Sequence, residues 1–232
     1  MPTSTVEQYI KTIYQEEERT HAPLVQMKRL SDAMAVAPGT ATAMVKHLAE
    51  NALVRYVPRK GVTLTTRGRR LALGMIRRHR LIETFLEQVL GYDWSEVHED
   101  AEQLEHAVSD TFVERLDEYL GFPEHDPHGD PIPSAALVIG KSGSIPLEQC
   151  AVGSNFTVAR VKNANRERLA FMKEHRVVPG EPFVLDQKNE TAGTITLRHQ
   201  ISEETLTIGF DVGLSISVVE DEEPGHTVPS AP

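Results

Sequence analysis

Ten consecutive residues, Val97-His98-Glu99-Asp100-Ala101-Glu102-Gln103-Leu104-Glu105-His106, constrain this chain more than any others. Wound as a helix at about 100° per residue, they set His98, Glu102, Glu105 and His106 at i, i+4, i+7 and i+8, a fan of roughly 100°. Two imidazoles and two carboxylates then converge, as a metal-binding face requires. Val97, Ala101, Leu104 and Val108 supply the apolar side through which such a helix packs. A solvated acidic face has the same spacing, and this stretch alone does not separate the two.

The surrounding composition narrows the choice. With 232 residues, 40% apolar and 25% charged, the chain has room for one large or two to three small soluble domains. It holds no apolar run suited to a membrane span, and no charged-then-apolar signal opens it, so it reads as cytoplasmic and without a membrane partner. A single cysteine, Cys150, excludes an intramolecular disulfide framework and a cysteine-rich zinc site, which leaves oxygen and imidazole as metal donors. The net charge of −10 is unevenly spread: residues 1–80 carry 14 Lys/Arg against 6 Asp/Glu, +8, leaving −18 for the rest. A basic N-terminal part joined to an acidic middle suits an anionic partner at one end and cations at the other.

The basic part has an order of its own. Val6, Tyr9, Ile10, Ile13 and Tyr14 make a helical stripe over Thr5 to Glu18, with Gln8 off that stripe, either exposed or available to a neighbouring site. A second helix is expected over Pro23 to Ala35, buried through Leu24, Met27, Leu30 and Met34. After the turn Ala37-Pro38-Gly39-Thr40, a third is expected over Thr40 to Asn51 with Met44, Val45 and Leu48 inward. Val54 to Val57 and Gly61 to Leu64 read as strands flanking the basic tip Pro58-Arg59-Lys60-Gly61. Helices around a turn followed by a basic hairpin make a winged helix-turn-helix. Pro38, Gly39, Thr40, Thr42, Ala43, Lys46 and His47 would face the major groove of double-stranded operator DNA, and Arg55, Arg59 and Lys60 the phosphates. Few of these side chains can make bidentate base contacts, so thymine methyls, water and DNA shape carry much of the specificity.

Thr66 is expected to cap a long fourth helix that reaches Leu90 and stops at Gly91, with His79 and Glu83 on one face. Ser109-Asp110 starts a helix with Phe112, Leu116 and Leu120 in line, apolar surface that suits a homodimer. The four prolines between Phe122 and Pro133 mark a domain exit, with His125 and His128 as loop residues. Beyond Ile145, β-like runs at Phe156 to Val161, Pro182 to Leu185, Thr194 to Leu197 and Leu214 to Val219, with a helix over Arg166 to His175, suggest a small SH3-like barrel. The tail after Asp221 reads as disordered. The fold class is therefore mainly α with a small β domain. Its parts are a winged-helix domain over 1–73, a helical metal-binding and dimerisation domain over 74–140, an SH3-like domain over 141–222 and a tail over 223–232.

The motifs Glu7-Gln8-Tyr9-Ile10, Arg78-His79-Arg80-Leu81 and Val97-His98 through Glu105-His106-x-x-Ser109-Asp110, in combination, resemble the DtxR/MntR family of iron- and manganese-dependent transcriptional regulators over residues 5–140. The last part resembles the FeoA-type SH3-like domain of its longer members. The resemblance implies a homodimeric repressor in which metal binding favours the DNA-competent arrangement. It implies a primary site at Gln8, Glu102, Glu105 and His106 and an ancillary one at His79, Glu83 and His98.

Three departures from the family pattern matter. Iron-type members have cysteine and methionine where Glu102 and Gln8 stand, and oxygen donors there suit Mn²⁺, with Fe²⁺ as the alternative. Manganese-type members have acidic residues at Gln8 and Lys11, and a lysine is no ligand at neutral pH. The barrel stretch Val161-Lys162-Asn163-Ala164 lacks the Glu-x-x-Gln pair of iron-type members. Two further readings stand beside the regulator. One is a carboxylate-bridged dimetal enzyme, which leaves the basic winged helix unexplained; the other is a winged-helix repressor with an organic ligand. The leading expectation is a metal-dependent regulator that is not an enzyme and takes no small organic substrate.

Overall fold

The computed structural model describes residues 3–140, 143–162 and 165–221. The tail over 223–232 and the Asn163-Ala164 pair lie outside the described residues. The chain forms two compact bodies, one built from Met1–Phe85, Glu99–Glu124 and Ile132–Gly140, the other from Leu86–His98, His125–Pro131 and Lys141–Pro232. The architecture is mainly α with a small β part.

The first body is organised on helix α1, Ser4–Thr20, whose Thr3 cap accepts a hydrogen bond from the Val6 amide. The expected stripe of Val6, Tyr9, Ile10, Ile13 and Tyr14 is buried. So are Glu7, Lys11, Thr12, Glu16 and Glu17, which makes α1 an enclosed helix rather than an amphipathic one. Enclosed charges need partners. Glu16 takes Arg19 at 2.6 Å and Arg29 at 2.8 Å, the latter from helix α2, Met27–Ala33. Glu17 accepts from Thr63 Oγ1 and the Leu64 amide, both at 2.8 Å, and from Arg69.

Helix α2 is shorter than its sequence pattern suggests. Val25 instead exchanges backbone hydrogen bonds with Val62 at 2.8 and 2.9 Å, so Pro23 to Gln26 is drawn out of the helix and against the wing. Helix α3, Pro38–Glu50, starts two residues before the expected Thr40, with Pro38 in its first turn, where the absent N–H costs nothing. Ala41, Val45 and Leu48 form its buried side. Strands β1, Val54–Val57, and β2, Gly61–Leu64, pair antiparallel over the expected ranges. Gly61, at φ +145°, is needed at the wing: a Cβ there would stand 2.4 Å from the Val25 carbonyl oxygen.

Helix α4, Thr66–Gln88, is capped by Thr65, whose Oγ1 accepts from the Gly68 amide at 3.1 Å, and not by Thr66. Helix α5 covers Val97–Leu104 and stops before Glu105 and His106. Helix α6, Asp110–Tyr119, begins as expected at Ser109, whose side chain accepts from the Phe112 amide. Its buried residues are Val113, Leu116 and Asp117, while Phe112, expected in line with Leu116, is exposed.

In the second body, six antiparallel strands follow the order β3-β8-β4-β5-β6-β7: β3 Ile145–Pro146, β4 Asn155–Val161, β5 Pro182–Asn189, β6 Thr194–His199, β7 Thr205–Gly209 and β8 Ile216–Glu220. Helix α7, Arg166–Glu174, lies between β4 and β5, and helix α8, Phe210–Gly213, between β7 and β8. This is the expected SH3-like barrel, with β3 and β7 added. Leu214, expected to begin the last strand, sits on the turn after α8 and is exposed. Phe156, Phe183, Leu185, Ile195 and Leu197 centre its core, which the lone tryptophan, Trp94, joins. His128, expected in a loop, is buried there, its ring 5.1 Å from that of Trp94. Among the described residues no helix is long and apolar enough to cross a membrane.

Two outcomes follow from these contacts. Gly61→Ala is expected to destabilise the first body by about 2–3 kcal/mol, through positive φ and overlap with Val25, as read by urea denaturation. In the second body, the hydrogen bond from His199 Nε2, at 2.7 Å, holds the Glu181 carboxyl below its ordinary 4.5. The pair therefore stabilises above that range, and its contribution is lost as pH falls through the lowered value. Urea midpoints followed by Trp94 fluorescence should place Glu181→Gln below wild type at neutral pH and bring the two together in acid.

Candidate metal centre and nucleic-acid interface

The expected four-residue stripe is redrawn by where α5 ends. The Glu105 amide still bonds the Ala101 carbonyl at 2.9 Å, but the Ala107 and Val108 amides both turn back to Leu104. The chain therefore passes from regular helix into a turn at Glu105 and His106. Glu105 points inward with no exposure and His106 is partly exposed. Leu104, assigned to the apolar side of the helix, is exposed. His98 is exposed in the first turn of α5, one turn ahead of Glu102.

The first-body donors gather along α1. Gln8 Nε2 donates to Glu102 Oε1 at 3.0 Å. Gln8 Oε1 is buried without a hydrogen-bond partner, an orphaned acceptor of the kind a cation satisfies. His106 Nδ1 stands 2.8 Å from Glu7 Oε2, and His106 Nε2 lies 3.6 Å from Glu105 Oε1. A carboxylate on Nδ1 fixes the imidazole tautomer and leaves Nε2 as the ligand nitrogen. Donors held about 2.1–2.3 Å from one ion stand about 3–3.6 Å apart, so the spacing of Glu105 Oε1 and His106 Nε2 suits a shared cation. Amide oxygen, carboxylate and imidazole fit a divalent first-row ion. The lone cysteine, Cys150, is buried in the second body.

Behind this face lies a charge cluster that spacing did not reveal. Lys11 Nζ donates to both oxygens of Glu105, at 2.9 and 2.8 Å, and stands 3.2 Å from His79 Nδ1. His79 bonds Glu105 Oε2 through Nδ1 at 2.6 Å and Glu83 Oε1 through Nε2 at 2.9 Å. All four side chains are buried. Burial by itself lowers the pKa of His79, but the charge of Glu83 and the hydrogen bonds to Glu105 and Glu83 lift it to about 9. Burial also favours the neutral acid at Glu105, and its bond to His79 with the charge of Lys11 overrides that, holding it below the ordinary carboxylate range. The residues that sequence reasoning missed are thus Glu7 and Lys11. Their signal was present: Glu7 and Lys11 are four apart on one face of α1, and Lys11 is three residues from Gln8.

On the nucleic-acid side, Pro38, Gly39, Thr40, Ala43, Lys46 and His47 are exposed along α3. A Cβ on Gly39 would meet open space, so the bare backbone there serves no internal contact. Thr42 departs from the expectation: it is half-buried, and its hydroxyl donates to the Pro38 carbonyl at 2.8 Å. Arg55, Arg59 and Lys60 are exposed on the wing, with Arg59 in the left-handed conformation at its tip. In the basic run after the wing, Arg69 serves Glu17 and stacks 5.2 Å over Tyr14, and Arg67 reaches the Asn51 carbonyl.

Comparison with known proteins agrees with this geometry. The model of the iron dependent repressor N-terminal DNA binding domain matches residues 1–62, and that of the iron dependent repressor metal binding and dimerisation domain matches residues 65–134. The iron-dependent repressor IdeR of Mycobacterium leprae is 36% identical over 129 residues, 56% of this chain and 55% of that protein. The chain thus spans about half the length of such curated relatives. The diphtheria toxin repressor of Corynebacterium jeikeium is 32% identical over 221 residues, 94% of this chain and 86% of its own. A manganese-dependent transcriptional repressor solved in complex with manganese superposes with a TM-score of 0.86 at 38% identity, covering 93% of this chain and all of that one. The manganese regulator SloR does so at 0.76 and 33%, covering 95% of this chain and all of that one. The chain belongs to the iron-dependent repressor family, the DtxR/MntR regulators.

Proposed function

We propose that this chain is a metal-dependent DNA-binding repressor of metal-homeostasis genes, acting as a cytoplasmic homodimer on double-stranded operator DNA. The observation that carries the reading is that one helix serves both ends. Its N-terminal half brings Glu7 and Gln8 to His106 and Glu102, and its C-terminal half holds α2 through Glu16 and the wing through Glu17. A divalent ion shared by Gln8, Glu102, Glu105 and His106 would tie α1 to the end of α5 and so favour one arrangement of the reading elements.

His79 and Glu83, buried and hydrogen-bonded to each other, serve with His98 as ancillary ligands in this reading. Mn²⁺ is the ion we assign, with Fe²⁺ next, because the donors are oxygen and imidazole and a relative of the same fold is manganese-dependent. Selection against Cu²⁺ and Zn²⁺ rests on geometry and availability rather than affinity order.

The exposed face of α3 enters the major groove, and Arg55, Arg59 and Lys60 neutralise phosphates. Phe112 and Tyr119, exposed two turns apart on α6, together with exposed Phe122, offer an apolar face to a second copy. In domain terms, residues 1–73 read DNA, 74–140 bind metal and dimerise, and 141–222 form an SH3-like FeoA-type domain. None of these groups is assigned a catalytic role.

The test is binding to promoter DNA of metal-transport genes at fixed salt with Mn²⁺, anaerobic Fe²⁺ or chelator. Mn²⁺ is expected to tighten specific binding; equal affinity in all three conditions removes the regulator reading. Glu102→Ala and His106→Ala are expected to lose that metal stimulation while keeping the dimer, as sized by light scattering. Arg59→Ala is expected to weaken binding to all sequences alike and to lower the salt slope by about 1.

A further inference from the structure

Lys11 is an unusual neighbour for a metal ligand. Its ammonium is nearly sealed from solvent, at 3% exposure, and bonds both oxygens of a carboxylate that has none. Of the four proposed primary ligands it engages Glu105, while His79, 3.2 Å from the same ammonium, bonds that carboxylate on Oε2. Any ion bound through Glu105 Oε1 must share that oxygen with a positive charge already 2.9 Å away. The two cations repel, and the interior screens that repulsion far less than water does. The ammonium cannot diffuse away, because α1 holds it at a fixed and high effective concentration beside Glu105.

We propose that Lys11 is a built-in competitor for the divalent cation at Glu105, and that it sets the free-metal concentration at which the centre fills. The inference rests on the reading of Gln8, Glu102, Glu105 and His106 as a metal centre and adds what limits it. Each partner of Glu105 has a distinct part. Lys11 holds both oxygens of the buried carboxylate in place without metal, and His79 steadies Oε2. His106, turned by Glu7, presents Nε2 toward Oε1. The centre is thereby preorganised, but at reduced affinity: one of its two carboxylate ligands is already neutralised. Such a centre answers when metal is plentiful and lets it go when metal is scarce, as a sensor of surplus requires.

The sign of one substitution decides it. Lys11→Gln keeps a hydrogen-bonding side chain of similar reach and removes the charge. Mn²⁺ affinity, measured without DNA by competition with a fluorescent chelator, is expected to rise tenfold or more. The rise should persist at low and high salt alike, because the pair is buried. Lys11→Arg, which keeps the charge, should stay near wild type. A variant that merely disturbs packing binds metal more weakly, so an unchanged or lowered affinity in Lys11→Gln, with helical content intact by circular dichroism, overturns the proposal. If Lys11→Gln does not fold, Lys11→Met and the Lys11→Arg comparison carry the same test. The underlying reading fails separately: wild type and Glu102→Ala or His106→Ala would then take up Mn²⁺ equally.

Discussion

A carboxylate withdrawn completely from water must meet positive charge, and the arrangement around Glu105 follows from that requirement. Lys11 and His79 supply it from α1 and α4, and Glu83 in turn holds the far nitrogen of His79. Helices α1 and α4 and the turn that follows α5 are thereby joined at a single buried point. Removing one member leaves the others charged and unpaired, a cost of about 3–5 kcal/mol for a buried pair.

Helix α1 is the element that makes this cluster matter elsewhere. Glu7, Gln8 and Lys11 lie within about 100° of one another around its axis, and Glu16 and Glu17 stand in its C-terminal half. From Gln8 to Glu17 is about 13 Å along the axis, short enough for an intact helix to behave as a rod. A carboxylate at its C-terminal half grips the wing by a hydroxyl and a backbone amide and α4 by the Arg69 guanidinium, and its neighbour grips α2. Closeness of the wing to the strand-like segment at Val25 then depends on Gly61, where no side chain fits. Displacement of α1 by its ligand-bearing end would be felt by both DNA-reading parts through these contacts.

Legibility in the sequence tracked how local the cause was. The wing strands were read to the residue because alternation and the turn between them are set by neighbours, and α6 was read at its start because Ser109 caps it. Helix α2 was overestimated because its first residues are claimed by a partner 37 positions away, Val62. The strand Thr205–Gly209 escaped because its inward apolar side chains are few, and register with β6 supplies the rest. At the site, ligand types were legible from spacing, but their directions were not, because the stripe presumed a helix that ends at Leu104. At Phe112 periodicity reported an apolar face without saying whether core or a partner covers it, and the structure leaves that side chain exposed.

The sequence by itself determined which chemistry was possible: oxygen and imidazole donors without sulfur, a basic reading unit, an acidic middle and an SH3-like end. Each of these depends only on residue identity and short-range order. Tertiary structure decided how the donors are shared. It set Glu7 on His106, left Gln8 Oε1 without a partner, and placed Lys11 against Glu105 and His79, residues 94 and 68 positions distant from it. Such pairings are settled by which charges are buried together, and burial is a property of the packed body rather than of any stretch of the chain.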